Sequence, residues 1–289
     1  MTLELDTPHT NHWIDCPEGK LRVITAGDTG PPVLLLSGAG TDSATLSWRH
    51  LIPYLATDYR VHALDWPKQG ASRPWNGVAD HPRLVRCISE VLDHFGLPEV
   101  ALVGMSQGGA LTLAYAIEHP DRVRRQVAIA PGGIIDFPPV VHQLLWLTAK
   151  IPLLHTTLPT MMARNRSQTE LFARKTLFAE EPEDFDQIVD EVMAESAAGS
   201  SASDWQQNSI GPFRMRVDLR PRLAEISCPT LFIQGDSDVG IRPKFTVAAA
   251  RRVPDARIEI LHRTGHWANR QSPGIVNPMI KDFLDEDRA

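Results

Sequence analysis

The sequence is poor in the features that mark several large protein classes. Its 289 residues contain only three cysteines, Cys16, Cys87 and Cys228, which lie far apart and are odd in number. Without a C-x-x-C pair they predict reduced thiols in a cytoplasmic protein, and neither a disulfide framework nor a zinc site. The formal net charge of −6 gives no basic surface of the kind that binds nucleic acid, so no nucleic-acid partner is expected.

Long hydrophobic runs are also missing. The N-terminal segment MTLELDTPHTNHW has two early acidic residues and no apolar core, so it does not predict a signal peptide. The most apolar segment, VVHQLLWLTAKIPLL, is interrupted by His142, Gln143 and Lys150 and favours an amphipathic helix. No membrane insertion is therefore expected. The chain also has no dinucleotide fingerprint and no metal-ligand spacing, so neither a cofactor nor a metal is predicted.

What the chain does have is a globular composition with alternating strand and helix patterns. Apolar residues make up 43% and charged residues 22% of the sequence. After a predicted N-terminal hairpin, apolar runs such as VLLL, VHAL and VALVGM alternate with segments of helical spacing such as HPRLVRCISEVLDHFG. This alternation predicts an α/β fold with a mostly parallel central sheet and helices on both faces.

One long segment interrupts the alternation. Residues 134–217 show no buried strand but several helical patterns, which predicts a helical cap inserted over the sheet. The predicted organisation is a first core part at 1–133, the cap at 134–217 and a second core part at 218–289. Most apolar residues of the insertion are expected to pack within it, while some line a substrate pocket. These residues are Leu144, Leu145, Trp146, Leu147, Met161, Met162, Phe172 and Phe178.

A serine between two glycines is the first catalytic candidate. The segment Gly104-Met105-Ser106-Gln107-Gly108 fits G-x-S-x-G and lies between a predicted strand and a predicted helix. Glycines at these positions allow a tight, strained turn, and the helix that follows directs its N–H groups toward the serine. We interpret Ser106 as a nucleophile. The alternative is an ordinary glycine-rich connection between strand and helix.

A nucleophilic serine needs a base and an acid. His266 follows the last predicted strand directly, at the carboxyl edge of the sheet, where catalytic groups collect in open α/β sheets. His262 is expected inside that strand as a packing residue. Asp236 and Asp238 follow the strand LFIQG, and either of them could orient the histidine.

The chain order Ser…Asp…His resembles that of the α/β-hydrolase superfamily, and the similarity covers nearly the whole length apart from the insertion. In that family the acid usually stands third after a glycine, as in Gly235-Asp236-Ser237-Asp238, so the resemblance favours Asp238. It also implies an oxyanion hole built from the backbone N–H groups of Gln107 and Ala39. Asp65, in a segment similar to a family motif, is expected to be structural.

The resemblance implies a cofactor-independent serine hydrolase that cleaves a small to medium, largely apolar ester through an acyl-enzyme. An alternative is a carbon–carbon bond hydrolase of a vinylogous diketone, because GHW is similar to a segment of such enzymes. Those members generally have asparagine where this chain has Met105, and a cationic cap residue that binds a substrate carboxylate. Arg164, Arg166 and Arg174 are candidates for that cation, although solvated arginines are commoner. A hydrolase-like ligand receptor and an acyltransferase are further alternatives, and the oligomeric state is not predicted.

Overall fold

The computed structural model describes residues 5–199 and 203–286, and an eight-stranded sheet forms its centre. Residues 1–4, part of the segment in which no signal peptide is predicted, lie outside this description. Along the sheet the order is β1-β2-β4-β3-β5-β6-β7-β8, with β2 antiparallel to both β1 and β4 and every later pair parallel. The strands are β1 Thr10–Cys16, β2 Gly19–Ala26, β3 Pro32–Leu36, β4 Arg60–Leu64, β5 Val100–Met105, β6 Val123–Ile129, β7 Thr230–Gly235 and β8 Ala256–Leu261.

Helices cover both faces of the sheet. Within the described residues they are α1 Ala44–Trp48, α2 Leu51–Leu55, α3 His81–His94, α4 Gln107–Glu118, α5 Pro139–Lys150, α6 Leu158–Ala163, α7 Arg166–Phe172, α8 Phe185–Ala198, α9 Asp204–Ser209, α10 Pro243–Ala250, α11 Ala268–Gln271 and α12 Pro273–Asp285. None of these helices combines the length and the apolar character that crossing a membrane requires.

The two faces of the sheet create two apolar layers. In β3, Leu34 and Leu36 pack into one layer, whereas Val33 and Leu35 pack into the other. All six residues of β5 are buried, which explains the continuous apolar runs that predicted parallel strands. The predicted α/β fold class with a mostly parallel sheet is confirmed.

One predicted helix is broken in two. The pattern SWRHLIPYLA indicates a single helix, but α1 ends at Trp48 and α2 begins at Leu51. Pro53 has no N–H and therefore cannot donate the helical hydrogen bond to the carbonyl of Arg49. The two short helices are held from the far end of the chain, because Asn269 donates to the Ser47 carbonyl (2.8 Å) and Asn277 to the His50 carbonyl (3.0 Å).

The segment between β6 and β7 is helical, as its sequence pattern predicts. It carries α5 to α9, with π-helical turns at Leu153–Thr157 and Ala173–Leu177, and its described part adds no strand to the sheet. It contacts the core near the last strand, where the rings of Phe178 and Trp267 stack with centroids 6.0 Å apart. The assignment of 134–217 as a separate cap domain stays a prediction.

Candidate active site

Ser106 lies on the sharp turn between β5 and α4. Its backbone has φ 55° and ψ −111°, a region that non-glycine residues rarely occupy. The turn is held by hydrogen bonds from the Ser106 N–H to the Ile129 carbonyl and from the Gly132 N–H to the Ser106 carbonyl, both 2.9 Å. A Cβ at Gly108 would lie 2.0 Å from the Leu36 carbonyl oxygen, so the glycine is required by close backbone approach.

The predicted base and acid meet the serine. His266 Nε2 is 3.1 Å from Ser106 Oγ, and His266 Nδ1 is 2.7 Å from Asp238 Oδ2. In a neutral imidazole, an Nδ1–H that donates to the carboxylate leaves Nε2 free to accept from the serine hydroxyl. The structure therefore brings together three residues from three separate loops at the carboxyl edge of the sheet.

Asp238 is fixed in place by donors on every side. It is only 3% exposed, and the N–H groups of Gly240 and Ile241 donate to its Oδ1 at 2.8 and 2.9 Å. Gln234 donates to Oδ2. Burial alone would raise the pKa of this carboxyl, but the hydrogen bond and charge of His266, with the Ile241 and Gln234 bonds, hold the pKa below its usual value. Asp238 is thus suited to remain an anion beside the histidine.

Asp236, the other candidate acid, has a different partner. Its Oδ2 lies 2.9 Å from Nδ1 of His262, whose side chain is 85% exposed. Strand β8 ends at Leu261, one residue before this histidine. The prediction that His262 packs inside the strand is therefore wrong, since the residue lies just beyond it and points to solvent.

The loop that carries Ala39 runs beside the serine. The Gly38 N–H donates to Asp42 Oδ2 (2.7 Å), and Gln69 Nε2 donates to the carbonyls of Gly38 and Gly40, both at 3.1 Å. Gln107 is the first residue of α4, directly after Ser106. The loop is thus held from both sides, and the predicted oxyanion role of the Ala39 and Gln107 N–H groups has a rigid framework.

A cavity of about 440 Å³ opens above the serine. Residues 38–42, Met105, Ser106 and His266 form its floor, and side chains of the helical segment, including Met162 and Phe172, form its walls. Its polar wall groups include His155, Gln168 and Gln206, and no arginine or lysine of the described residues lines it. Of the eight apolar candidates from the sequence, only Met162 and Phe172 line the cavity, and its polar wall groups were not predicted. Only the fold shows which face of a helix points inward.

The three candidate arginines of the helical segment, Arg164, Arg166 and Arg174, do not line this cavity. Arg166 pairs with Glu170, Asp186 and Asp190, and Arg174 pairs with Glu170 and Glu181. Arg164 Nε donates to the carbonyl of Ser196. The hypothesis that one of these arginines binds a substrate carboxylate is therefore not supported by their positions.

Two aspartates near the glycine-rich loop have different environments. Asp65 is fully buried and accepts from Arg22 Nε (2.6 Å) and from two backbone N–H groups, which agrees with the expected structural role. Asp42 lines the cavity. The sequence pattern did not predict it as a site residue, although its position two residues after Gly40 places it next to the glycine-rich loop. Among the described residues, no group of three or more His, Cys, Asp or Glu side chains could hold a metal ion.

Comparisons with known proteins agree with this architecture. A family model described as "alpha/beta hydrolase fold" matches residues 31–273. A 2-hydroxy-6-oxo-6-phenylhexa-2,4-dienoate hydrolase of Burkholderia cepacia is 29% identical, over 92% of this chain and 91% of the relative. A 2-hydroxy-6-oxononadienedioate/2-hydroxy-6-oxononatrienedioate hydrolase of Cupriavidus pinatubonensis is 28% identical, over 95% of both chains.

A solved structure shows the same fold. Carboxylesterase CesB of Bacillus subtilis superposes with a TM-score of 0.75 at 21% identity, covering 96% of this chain and 92% of that one. The family match spans both sides of the helical segment, and it includes the serine turn and the histidine loop. The chain belongs to the α/β-hydrolase family and is a hydrolase.

Proposed function

We propose that the chain is a serine hydrolase in which Ser106 is the nucleophile, His266 the general base and Asp238 the acid that orients it. The observation that carries this proposal is the continuous hydrogen-bond chain from Ser106 through His266 to Asp238 at the floor of the cavity. In this proposal, residues 134–217 act as a cap over the cavity, and the cavity holds a small-molecule substrate.

The proposed reaction proceeds through an acyl-enzyme. Ser106 Oγ attacks the substrate carbonyl carbon while His266 Nε2 takes the hydroxyl proton, and the Gln107 and Ala39 N–H groups receive the oxyanion. Collapse of the tetrahedral intermediate breaks the bond to the leaving group, which takes the proton from His266. Water, deprotonated by the same histidine, then releases the acid product and restores the serine.

For the bond that breaks, the comparisons favour carbon–carbon hydrolysis over the ester hydrolysis that the sequence favours. Two relatives that cover more than nine tenths of the chain are named as dienoate or dienedioate-type hydrolases. In a vinylogous diketone, the electron pair of the broken carbon–carbon bond is delocalised onto a distant ketone oxygen, so carbon becomes an adequate leaving group. We therefore propose a vinylogous diketone as the first candidate substrate.

Ester hydrolysis remains the second candidate because of one observation. The described cavity wall is largely apolar and contains no arginine or lysine that could pair with the carboxylate of a dienoate. An uncharged ester fits such a wall without leaving a buried charge unpaired.

The test compares wild type with Ser106→Ala on three substrates: a vinylogous diketone with a carboxylate, the same diketone without it, and a p-nitrophenyl alkanoate. Wild type is expected to turn over at least one of them, with kcat/KM reduced about 10⁴-fold or more in the variant because the acyl-enzyme cannot form. Chromatography of the products identifies the broken bond.

The matched control is Ser237→Ala, because Ser237 is an exposed serine after β7 that does not line the cavity and whose hydroxyl donates to Asp236 Oδ1. It should keep wild-type rates. Equal rates for wild type and Ser106→Ala would contradict the proposed nucleophile.

A further inference from the structure

We propose that Asp42 is a specificity-determining residue that restricts the site to substrates without a carboxylate near the scissile bond. The inference deepens the proposed function and rests on it. It divides the candidate substrates by charge: uncharged diketones and esters are accepted, and dienoate-like anions are disfavoured.

The first observation is the position of the carboxylate. Asp42 is 4% exposed and lines the same cavity as Ser106. A Cβ at Gly38 would lie 2.9 Å from Asp42 Oδ2 and 3.7 Å from Ser106 Cβ. The same position lies 3.1 Å from Met105 Sδ, so the Asp42 carboxylate, the Met105 thioether and Ser106 are all neighbours of Gly38. A substrate carbonyl at Ser106 therefore comes close to this carboxylate.

The second observation is that Asp42 has no salt-bridge partner among the described residues, and the charge of Arg270 acts on it without direct contact. Other buried or half-buried carboxylates have arginine partners: Asp65 pairs with Arg22, Glu191 with Arg49, Glu195 with Arg73 and Asp184 with Arg270. Asp42 accepts only from neutral donors, namely the Gly38 and Ser43 N–H groups and the Ser47 hydroxyl. No lysine, arginine or histidine in the described part of the chain forms a salt bridge with it.

The ionisation of Asp42 makes the effect depend on pH. Burial raises the pKa of this carboxyl to about 7, against the opposing hydrogen bonds, and the negative charge of Glu195 on α8 adds to the rise. Arg270 on α11 carries a positive charge, but it forms salt bridges with Asp184 and Glu191. His266 is a further titratable group that lines the same cavity as Asp42. Asp42 is therefore mostly neutral at pH 6 and mostly an anion at pH 8.

This ionisation sets the size of the discrimination. A carboxylate that enters the cavity at pH 8 must lie beside an ionised Asp42 or force it to take up a proton. Forcing that proton costs a factor of about ten for each pH unit above the pKa. An uncharged substrate meets no such barrier, so the preference for it should rise about tenfold between pH 6 and pH 8.

The experiment uses two reagents that need only the serine nucleophile. They are ethyl p-nitrophenyl alkylphosphonate diesters, uncharged at phosphorus and matched in length, one with a methyl end and one with a carboxylate end on a short chain. Second-order labelling rates of Ser106 are measured by intact mass from pH 6 to pH 8 in wild type, Asp42→Asn and Ser47→Ala. Dividing the two rates cancels any general change in nucleophilicity, including the protonation of His266 in so far as it affects both reagents equally.

In wild type the ratio of neutral to anionic labelling should exceed one and rise about tenfold over this range. Asp42→Asn should flatten the rise, whatever its absolute rate. Ser47→Ala disturbs the same carboxylate but keeps its charge, and a hydrogen bond that lowers the pKa is lost. The ratio should therefore still rise with pH, unlike that of Asp42→Asn, but by less than in wild type between pH 6 and pH 8. A flat wild-type ratio, or a rise unchanged in Asp42→Asn, would overturn the inference alone. No labelling of Ser106 by either reagent would overturn the proposed function and the inference with it.

Discussion

Asp236 and Asp238 stand two positions apart and differ in burial and in the number of donors that hold them. Asp238 is buried and receives three hydrogen bonds besides that of His266, although the pKa of both carboxyls is lowered. Asp236 is exposed and faces the solvent-accessible His262. Sequence alone left both open, because Asp-Ser and Asp-Val-Gly are equally good turn formers. The resemblance to a family motif favoured Asp238, and the hydrogen-bond geometry agrees with it.

We expect Asp238→Asn to lower kcat about 10⁴-fold, because an amide can donate to His266 Nδ1 and so favour the tautomer that cannot accept the serine proton. Asp236→Asn serves as the matched variant and should stay within about threefold of wild type. Steady-state kinetics on whichever substrate wild type turns over would decide this. A larger loss in Asp236→Asn than in Asp238→Asn would show that the acid is misassigned.

Asp42 illustrates what a sequence pattern leaves out. The pattern around Ser37–Gly40 predicts a loop near the serine, but it does not show that the side chain of Asp42 turns back to bind the Gly38 N–H. The same holds for His155 and Gln206, whose inward direction depends on the packing of helical turns in the segment after β6.

Among the elements, the connection from β5 through Ser106 to α4 is closely packed. The glycine positions of the G-x-S-x-G pattern predicted a tight turn, and a Cβ at Gly104 or Gly108 would lie only 2.3 or 2.0 Å from a backbone carbonyl oxygen. The break between α1 and α2, in contrast, was not predicted from the sequence pattern. Helical periodicity continues across it, and only the missing N–H of Pro53 signals the interruption.

Gly108→Ala should lower the free energy of unfolding by about 2–3 kcal/mol, since its methyl group would collide with the Leu36 carbonyl. Gly274→Ala is the matched control: it lies near the start of α12, where a Cβ meets nothing within 4 Å, and should change stability by at most about +1 kcal/mol. Urea unfolding of both variants measures the difference. Equal midpoints would contradict the argument from close approach.

For the molecule as a whole, the alternation of strands and helices predicted the fold class and most elements. The pattern could not predict that β4 lies between β2 and β3, because strand order depends on how the connections cross and not on the residues of any one strand. The loss of strand patterns predicted a helical segment between β6 and β7, but it did not predict how the helices of that segment pack.

Two buried histidines, His62 and His81, should make the free energy of unfolding depend on pH. Burial lowers the pKa of His62 to about 4, with Arg60 and His12 adding to the effect, and burial lowers that of His81 to about 4. As pH falls below about 6.5, these histidines become protonated in the unfolded chain but stay neutral in the folded chain. The free energy of unfolding therefore decreases toward pH 4.

His62→Leu should reduce this acid-induced loss by roughly 1–3 kcal/mol and change stability little at pH 8. His94→Leu is the control, because His94 contacts the same Phe95 ring but is exposed. Urea unfolding at pH 5 and pH 8 gives the comparison. If both variants lose stability in acid as steeply as wild type, His62 is not the group responsible.

The binding of α11 and α12 to α1 and α2 has a consequence for biosynthesis. Asn269 and Asn277 hold the helices that follow the Ala39 loop, and His266 comes 160 residues after Ser106. At ribosomal speeds of about 5–20 residues per second, roughly 8–32 s pass between the translation of the serine and that of the histidine. During that interval the nascent chain carries Ser106 without His266, so the hydrogen bond between them can form only after the histidine has been translated.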